Sequence, residues 1–174
     1  MAITVFASPR KLSWLHFTPV PNRIRDPHDG SLQDALTQFD FFLPDRPPRQ
    51  IDGQYALADP LTLLITPNAR VWTGVRQTDE LLSHEQFHYD VGIVIARAAA
   101  RHFMSLRART VEELRQSFQQ AARLHFVTRN RLIQRRYDLD TQHGQNAHYQ
   151  RIWKRRMAAC LANPRSDTLG GFVL

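Results

Sequence analysis

The sequence predicts an α+β fold in which a β-rich N-terminal part, residues 1–76, precedes a helical part, residues 78–163. The first part contains short apolar and β-branched segments separated by Pro, Gly and Asn, a pattern typical of strands joined by turns. From Thr78 onward, apolar residues recur at the spacing of an α-helix. Strands followed by helices, rather than alternating with them, indicate α+β. The length of 174 residues corresponds to a single domain, in which we expect residues 164–174 to form a loose tail.

The predicted strands of the N-terminal part are short. In chain order they are residues 2–6, 12–17, 33–43, 54–57, 61–66 and 70–75. Pro67 and Asn68 form a turn-like pair between the last two strands, and residues 46–49, Arg-Pro-Pro-Arg, form a stiff connector. The last two strands are therefore expected to be separate elements.

Three helices are predicted after the strands. The first is capped by Thr78 and runs to about Met104, with acidic residues in its first turn, where they suit the helix dipole. The second begins at a T-x-x-E capping box made by Thr110 and Glu113. The second helix is predicted to end near Arg136 and is followed by a polar turn over residues 137–144. The last helix follows this turn and ends at Asn163 and Pro164.

Composition limits the possible functions. The net charge is +7, and it is uneven: residues 101–156 contain 13 Arg or Lys against 4 Asp or Glu, whereas residues 1–100 contain 9 against 11. A basic helical half could dock an acidic partner, but no nucleic-acid-reading motif accompanies it, so we do not expect nucleic acid as a partner. The single cysteine, Cys160, excludes an internal disulfide and a Cys-rich zinc site. We also expect neither a membrane span nor a signal peptide, which makes the chain cytoplasmic as written.

The most informative motif is H-E-x-x-H, formed by His84, Glu85 and His88. Residues four apart share one face of a helix, so the two imidazoles can chelate one Zn²⁺ ion. The carboxylate of Glu85 then lies close to the metal without ligating it and can act as a general base toward water. The motif therefore predicts a zincin-like helix, followed by two further helices.

A catalytic zinc ion needs a third protein ligand. Among the remaining histidines, His143 is the best candidate, because it lies in the predicted polar turn before Gly144. Asp138 or Asp140 could accept the second ring N–H of a ligand histidine, and Tyr137 could donate a hydrogen bond to an oxyanion. His148 is a possible ligand inside the last helix, and His125 is expected to be a core residue. The other three histidines have no suitable position: His16, His28 and His102.

Several short motifs together resemble a known protein family. They are T-D-E-L-L-S-H-E-Q-F-H ending at His88, Y-D-x-x-T-x-H-G from Tyr137 to Gly144, Q-x-x-W ending at Trp153, and L-S-W-x-x-F from Leu12 to Phe17. The family is a bacterial domain-of-unknown-function family described as predicted secreted Zn-dependent proteases, and the resemblance extends from about residue 12 to residue 156. It implies His143 as the third ligand and a periplasmic or secreted location. The family usually has Gly where this chain has Phe87.

These observations predict a zinc-dependent metallopeptidase that hydrolyses a peptide or protein substrate. Such sites often have an edge strand beside the metal helix, and residues 61–66 or 70–75 could provide it. The alternative is a zinc-stabilised, non-catalytic binding protein whose basic helical surface docks an acidic partner. A fourth protein ligand, such as His148 or Asp138, would support the alternative, and an open coordination position would support the enzyme.

Overall fold

The computed structural model describes residues 2–27 and 29–174, so His28 lies outside the described residues. The strands are β1 (Ile3–Ala7), β2 (Phe17–Val20), β3 (Ile24–Arg25), β4 (Leu32–Gln33), β5 (Ala35–Phe42), β6 (Arg49–Ile51), β7 (Gln54–Ala56), β8 (Leu61–Trp72), β9 (Thr168–Leu169) and β10 (Phe172–Val173). The helices are α1 (Asp79–Ser105), α2 (Val111–Ala122), α3 (Asn130–Thr141) and α4 (Ala147–Ala162). The architecture is α+β, as the sequence predicts.

The main sheet is built around β8. Along one edge β8 pairs in parallel with β1 and then with β2, and along the other edge it pairs antiparallel with β5. Alternate residues of β8, including Leu63 and Ile65, are fully buried, whereas the residues between them are only partly buried. This period of two shows that one face of the sheet packs against the rest of the molecule.

The two strands predicted at 61–66 and 70–75 are one continuous strand, and the predicted turn at Pro67 is wrong. The pairing of β1 with β8 ends at Ile65, and the pairing of β2 with β8 begins at Ala69. Among the described residues, 66–68 therefore have no partner strand on that side, so a proline in the middle of β8 removes no ladder bond there. A strand predicted at 12–17 is also absent: Trp14–His16 is a single 3₁₀ turn that leads into β2.

Helix α1 lies between the sheet and the other helices. Tyr89 and Ile93 pack against the sheet, whereas Val91 and Ile95 pack against α3 and α4. The helix begins as predicted, because the Thr78 hydroxyl accepts a hydrogen bond from the backbone N–H of Leu81 at 3.2 Å. An interior helix covered on both sides holds its side chains rigidly, which suits a site built on its first turns.

The helical part departs from the prediction at its centre. The segment Arg123–Arg129 is a π-helix that joins α2 directly to α3, so the helix continues to Thr141 rather than ending near Arg136. The chain reverses only over Gln142, His143 and Gly144, whose φ angles are 50°, 53° and 86°. Tyr137, expected in a polar turn, is therefore inside a helix, as are Asp138 and Asp140.

The C-terminal residues do not form the loose tail that the sequence predicts. Strands β9 and β10 pair as an antiparallel hairpin, and the side chains of Leu169 and Leu174 are buried in the core shared by α1, α3 and α4. Within residues 2–27 and 29–174, no helix is long and apolar enough to cross a membrane.

Candidate metal centre

Three side chains converge where the first turns of α1 meet the end of α3. The Nε2 atoms of His84 and His88 are 3.0 Å apart. Oδ1 of Asp138 lies 3.3 Å from Nε2 of His84 and 3.1 Å from Nε2 of His88. The two histidines share a face of α1 because they are four residues apart, and α3 presents the aspartate from the opposite side.

This triangle fits a metal ion. Tetrahedral ligand atoms with bonds of about 2.0 Å to zinc lie about 3.3 Å apart, close to the three separations found here. Oδ1 of Asp138 is buried, and its contacts with the two imidazoles lack the alignment of hydrogen bonds. A cation between the three atoms would balance this buried charge. His84, His88 and Asp138 could therefore hold a metal ion.

The pKa of each of the three groups depends on at least one of the others. Burial by itself lowers the pKa of the His88 imidazole, but the adjacent Asp138 carboxylate outweighs burial and raises that pKa to about 9. Burial of Asp138 opposes ionisation, yet the two imidazoles, His88 foremost, hold its pKa well below the usual value. Burial lowers the pKa of His84. Since a metal ligand is the neutral imidazole, metal binding by His88 requires loss of the proton that Asp138 favours.

Gln134 orients His88 and was not identified from the sequence. Its Oε1 lies within hydrogen-bonding distance of Nδ1 of His88, and its Nε2 donates to the backbone carbonyl of His88 at 3.1 Å and to Oδ1 of Asn130 at 3.2 Å. A partner on Nδ1 leaves Nε2 as the ligand atom, which is the usual arrangement around metal-binding histidines. The available signal was the spacing of Asn130, Gln134 and Asp138, which places all three on one face of a helix.

Tyr137 is buried in the core next to the three converging groups and does not line the groove beside them. Its side chain is 0% exposed. Its ring stacks on Phe87 with centroids 3.7 Å apart and on His84 with centroids 4.8 Å apart. The hydroxyl has no hydrogen-bond partner among the described residues, and burial raises its pKa above the usual value. The role as an oxyanion donor stays a prediction; in the structure the Tyr137 ring packs against the His84 ring from the core.

Asp140 does not contact the ligand histidines, contrary to expectation. Its Oδ2 accepts a hydrogen bond from Nε1 of Trp153 at 3.0 Å, and its Oδ1 pairs with Nε of Arg136 at 2.9 Å. The side chain points away from the site because it lies two residues after Asp138 on the same helix. Asp140 thus joins α3 to α4. Asp138, expected to accept a hydrogen bond from a ligand, is instead one of the three converging groups.

His143, predicted as the third ligand, lies at the margin of the site. Its Nδ1 is 4.0 Å from Oδ1 of Asp138 and 3.1 Å from Nε2 of Gln33, and it is not one of the three converging groups. His148 is exposed on α4. His125 is a buried core histidine as predicted, with ring contacts to His102 at 3.1 Å and to Arg129 at 3.2 Å.

Glu85 is buried in the first turns of α1, and its role as a general base stays a prediction. The residue is only 2% exposed, and its Oε2 atom has no hydrogen-bond partner in the described chain. The side chain lines the same groove as the two histidines and Asp138. An ionisable oxygen that is buried, unpartnered and next to a candidate metal centre is suited to a proton-accepting role.

The groove has a volume of about 470 Å³ and passes over the three converging groups. One wall is residues 35–41 of β5, and the other is formed by side chains between Phe126 and Asp138. Strand β5 is an edge strand: among residues 2–27 and 29–174, only β8 pairs with it. The expectation that residues 61–66 or 70–75 provide the edge is wrong, because the strand residues of both segments belong to the central strand β8, which ends at Trp72.

Gly144 allows the turn after α3 to approach the His84 ring. A Cβ atom at this position would lie 3.2 Å from both Cγ and Nδ1 of His84, and the φ angle is +86°. We expect Gly144→Ala to cost about 1–2 kcal/mol of stability through its left-handed backbone. It should also weaken zinc binding, because the imidazole must shift. Chemical denaturation and zinc titration measure the two effects.

Gly171→Ala is the matched control. Its φ angle is +92°, but apart from its two sequence neighbours no heavy atom of the described chain lies within 4 Å of the added Cβ. It should therefore lose a similar amount of stability and keep the zinc affinity of the parent. Equal zinc affinities for the two variants would show that the His84 ring does not depend on Gly144.

The comparisons with known proteins leave the site to be interpreted from its geometry. No family model matches the chain, and no curated protein or solved structure shows significant similarity to it. The resemblance to predicted secreted Zn-dependent proteases therefore stays a prediction.

Proposed function

We propose that this protein is a zinc-dependent metallopeptidase of the zincin type. The observation that carries the proposal is the convergence of His84, His88 and Asp138 in a groove beside the buried, unpartnered carboxylate of Glu85. Two imidazoles and one carboxylate form a donor set that zinc uses in catalytic sites, where three protein ligands leave one position open. This arrangement replaces His143 with Asp138 as the third ligand.

Each residue has a separate role in the proposed reaction. Bound zinc would lower the pKa of a water molecule and polarise the peptide carbonyl. Glu85 accepts a proton from the attacking water and returns it to the departing amine, a transfer that general bases of this kind perform over short distances. Gln134 and Tyr137 hold the imidazoles of His88 and His84 in place.

The free edge of β5 is the proposed binding surface for the peptide. An extended peptide can add to an edge strand through backbone hydrogen bonds, and those bonds do not depend on its sequence. Since β5 forms one wall of the groove that contains Glu85, a peptide paired with it would pass over the catalytic groups. The groove thus supports hydrolysis better than the alternative, in which zinc is enclosed by four protein ligands.

Metal removal tests the proposal. Treatment with a chelator should abolish hydrolysis of a mixed peptide library, and one equivalent of zinc should restore it. The helical circular dichroism signal should persist throughout, because α1 is held by apolar cores on both sides. A purely structural zinc ion predicts unfolding on chelation instead. Absence of hydrolysis by the fully zinc-loaded protein across the library would contradict the peptidase function.

A further inference from the structure

The groove has an apolar end. Phe41 and Val127 line it and remain 40% and 48% exposed. Phe126 lines it as well, and the rings of Phe41 and Phe126 are stacked, with centroids 3.9 Å apart and planes 9° apart. Adjacent exposed apolar side chains within a groove are typical of a surface that binds a ligand.

This apolar end is rigid. Phe39, two residues before Phe41 on the same face of β5, packs directly on the backbone of α1: a Cβ atom on Gly92 would lie 2.6 Å from the Phe39 ring. The stack on Phe126 then fixes the next ring along the strand. Because Phe39 and Phe41, the two aromatic side chains on this face of β5, are held by the helices, the exposed part of Phe41 is a preformed surface.

The apolar end is separated from the metal-ligating residues along the groove. The helical wall extends from Asp138 to Phe126, a span of twelve residues. At about 1.5 Å per residue, this is about 18 Å, or about five residues of an extended peptide. Gln33, just before β5, contacts His143, whereas Phe41 stacks on Phe126. Strand β5 therefore runs from the metal-ligating end of the groove to the apolar end.

We propose that Phe41, Phe126 and Val127 form a subsite for one large apolar side chain of the substrate. The side chain lies about five residues from the cleaved bond, on its N-terminal side. The direction follows because antiparallel pairing is the more stable arrangement, and a peptide antiparallel to β5 has its N-terminal end near Phe41. The substrate class is an extended peptide with Leu, Ile, Met or Phe at that position. The inference rests on the proposed function, since cleavage at the metal centre sets the register.

Peptide hydroxamates provide a probe that needs no turnover. A hydroxamate at the C-terminus of a serine-rich peptide ligates zinc and fixes the register, and a single leucine is then moved one position at a time. Dissociation constants are measured for the zinc-loaded wild type, Phe41→Ala and Phe42→Ala. Phe42 is the matched control: it is 60% exposed on the opposite face of β5 and is not part of the groove lining.

The wild type and Phe42→Ala should bind best when leucine lies about five residues from the hydroxamate, with a gain of about tenfold over serine. Phe41→Ala should lose this gain and keep its zinc content and helical circular dichroism signal, although loss of the stack on Phe126 lowers its melting temperature. Persistence of the gain in Phe41→Ala, an equal loss in Phe42→Ala, or the absence of any preferred position overturns the subsite. A leucine preference found only with hydroxamate probes whose peptide lies on the C-terminal side of the cleaved bond also overturns the subsite. A preserved leucine preference without hydrolysis of any peptide would reject the peptidase function and leave the subsite in place.

Discussion

Asp138→Ala should abolish stoichiometric zinc binding, whereas His143→Ala should retain it. Oδ1 of Asp138 lies 3.1 Å and 3.3 Å from the Nε2 atoms of the two histidines, whereas Nδ1 of His143 is hydrogen-bonded to Gln33. Loss of a group that only supports a ligand weakens zinc binding by about 10- to 100-fold, so loss of a ligand should exceed about 100-fold. Zinc titration of the two variants and the wild type measures the difference.

Asp140→Ala is the control for the loss of a carboxylate from α3. It should keep zinc and lose stability, because Asp140 accepts a hydrogen bond from Trp153 rather than contacting the site. A loss of zinc by His143→Ala as large as that of Asp138→Ala would show that His143 is also a ligand. That result would fill the open coordination position and favour a structural site over a catalytic one.

Glu85→Gln should keep zinc and lose peptide hydrolysis by about 100- to 10,000-fold. Glutamine has nearly the same shape as glutamate, so the buried position should be filled without a cavity. It cannot accept the proton of the attacking water, however, and the rate should fall because that transfer is lost. Zinc content and the cleavage rate are measured on the same preparation.

Glu112→Gln is the matched control, since Glu112 is exposed at the start of α2 and pairs with Arg115 at 2.9 Å. It should leave both zinc content and the cleavage rate unchanged. Wild-type turnover by Glu85→Gln would remove Glu85 from the reaction. Loss of zinc by that variant would instead identify Glu85 as a ligand.

The sequence predicts the local features of the site well. The start of α1 depends on the hydroxyl of Thr78 three residues from Leu81, and the pairing of His84 with His88 depends on a spacing of four. Glu85 is next to the first histidine, so its entry into the groove follows from the same helix. Each of these relations is contained within one or two helical turns, where sequence spacing fixes geometry.

The third converging group, Asp138, is harder to predict, because its position depends on where a helix ends. Residues 137–144 are polar enough to suggest a turn, and a turn would present His143. The π-helical segment Arg123–Arg129 and the packing of Tyr137 on Phe87 instead extend α3 to Thr141. Because α3 extends this far, Asp138 lies on the face of α3 that packs against α1.

The sequence by itself thus determined the α+β class, helix α1 and its two imidazoles with the adjacent carboxylate. Only the tertiary structure decided that Asp138 joins them, that Tyr137 lies behind them and that β5 provides the free edge. The physical reason is distance along the chain: Asp138 contacts His88 across 50 residues, and β5 is an edge because, among the described residues, only β8 pairs with it. Such contacts depend on how whole elements pack, and no local spacing encodes them.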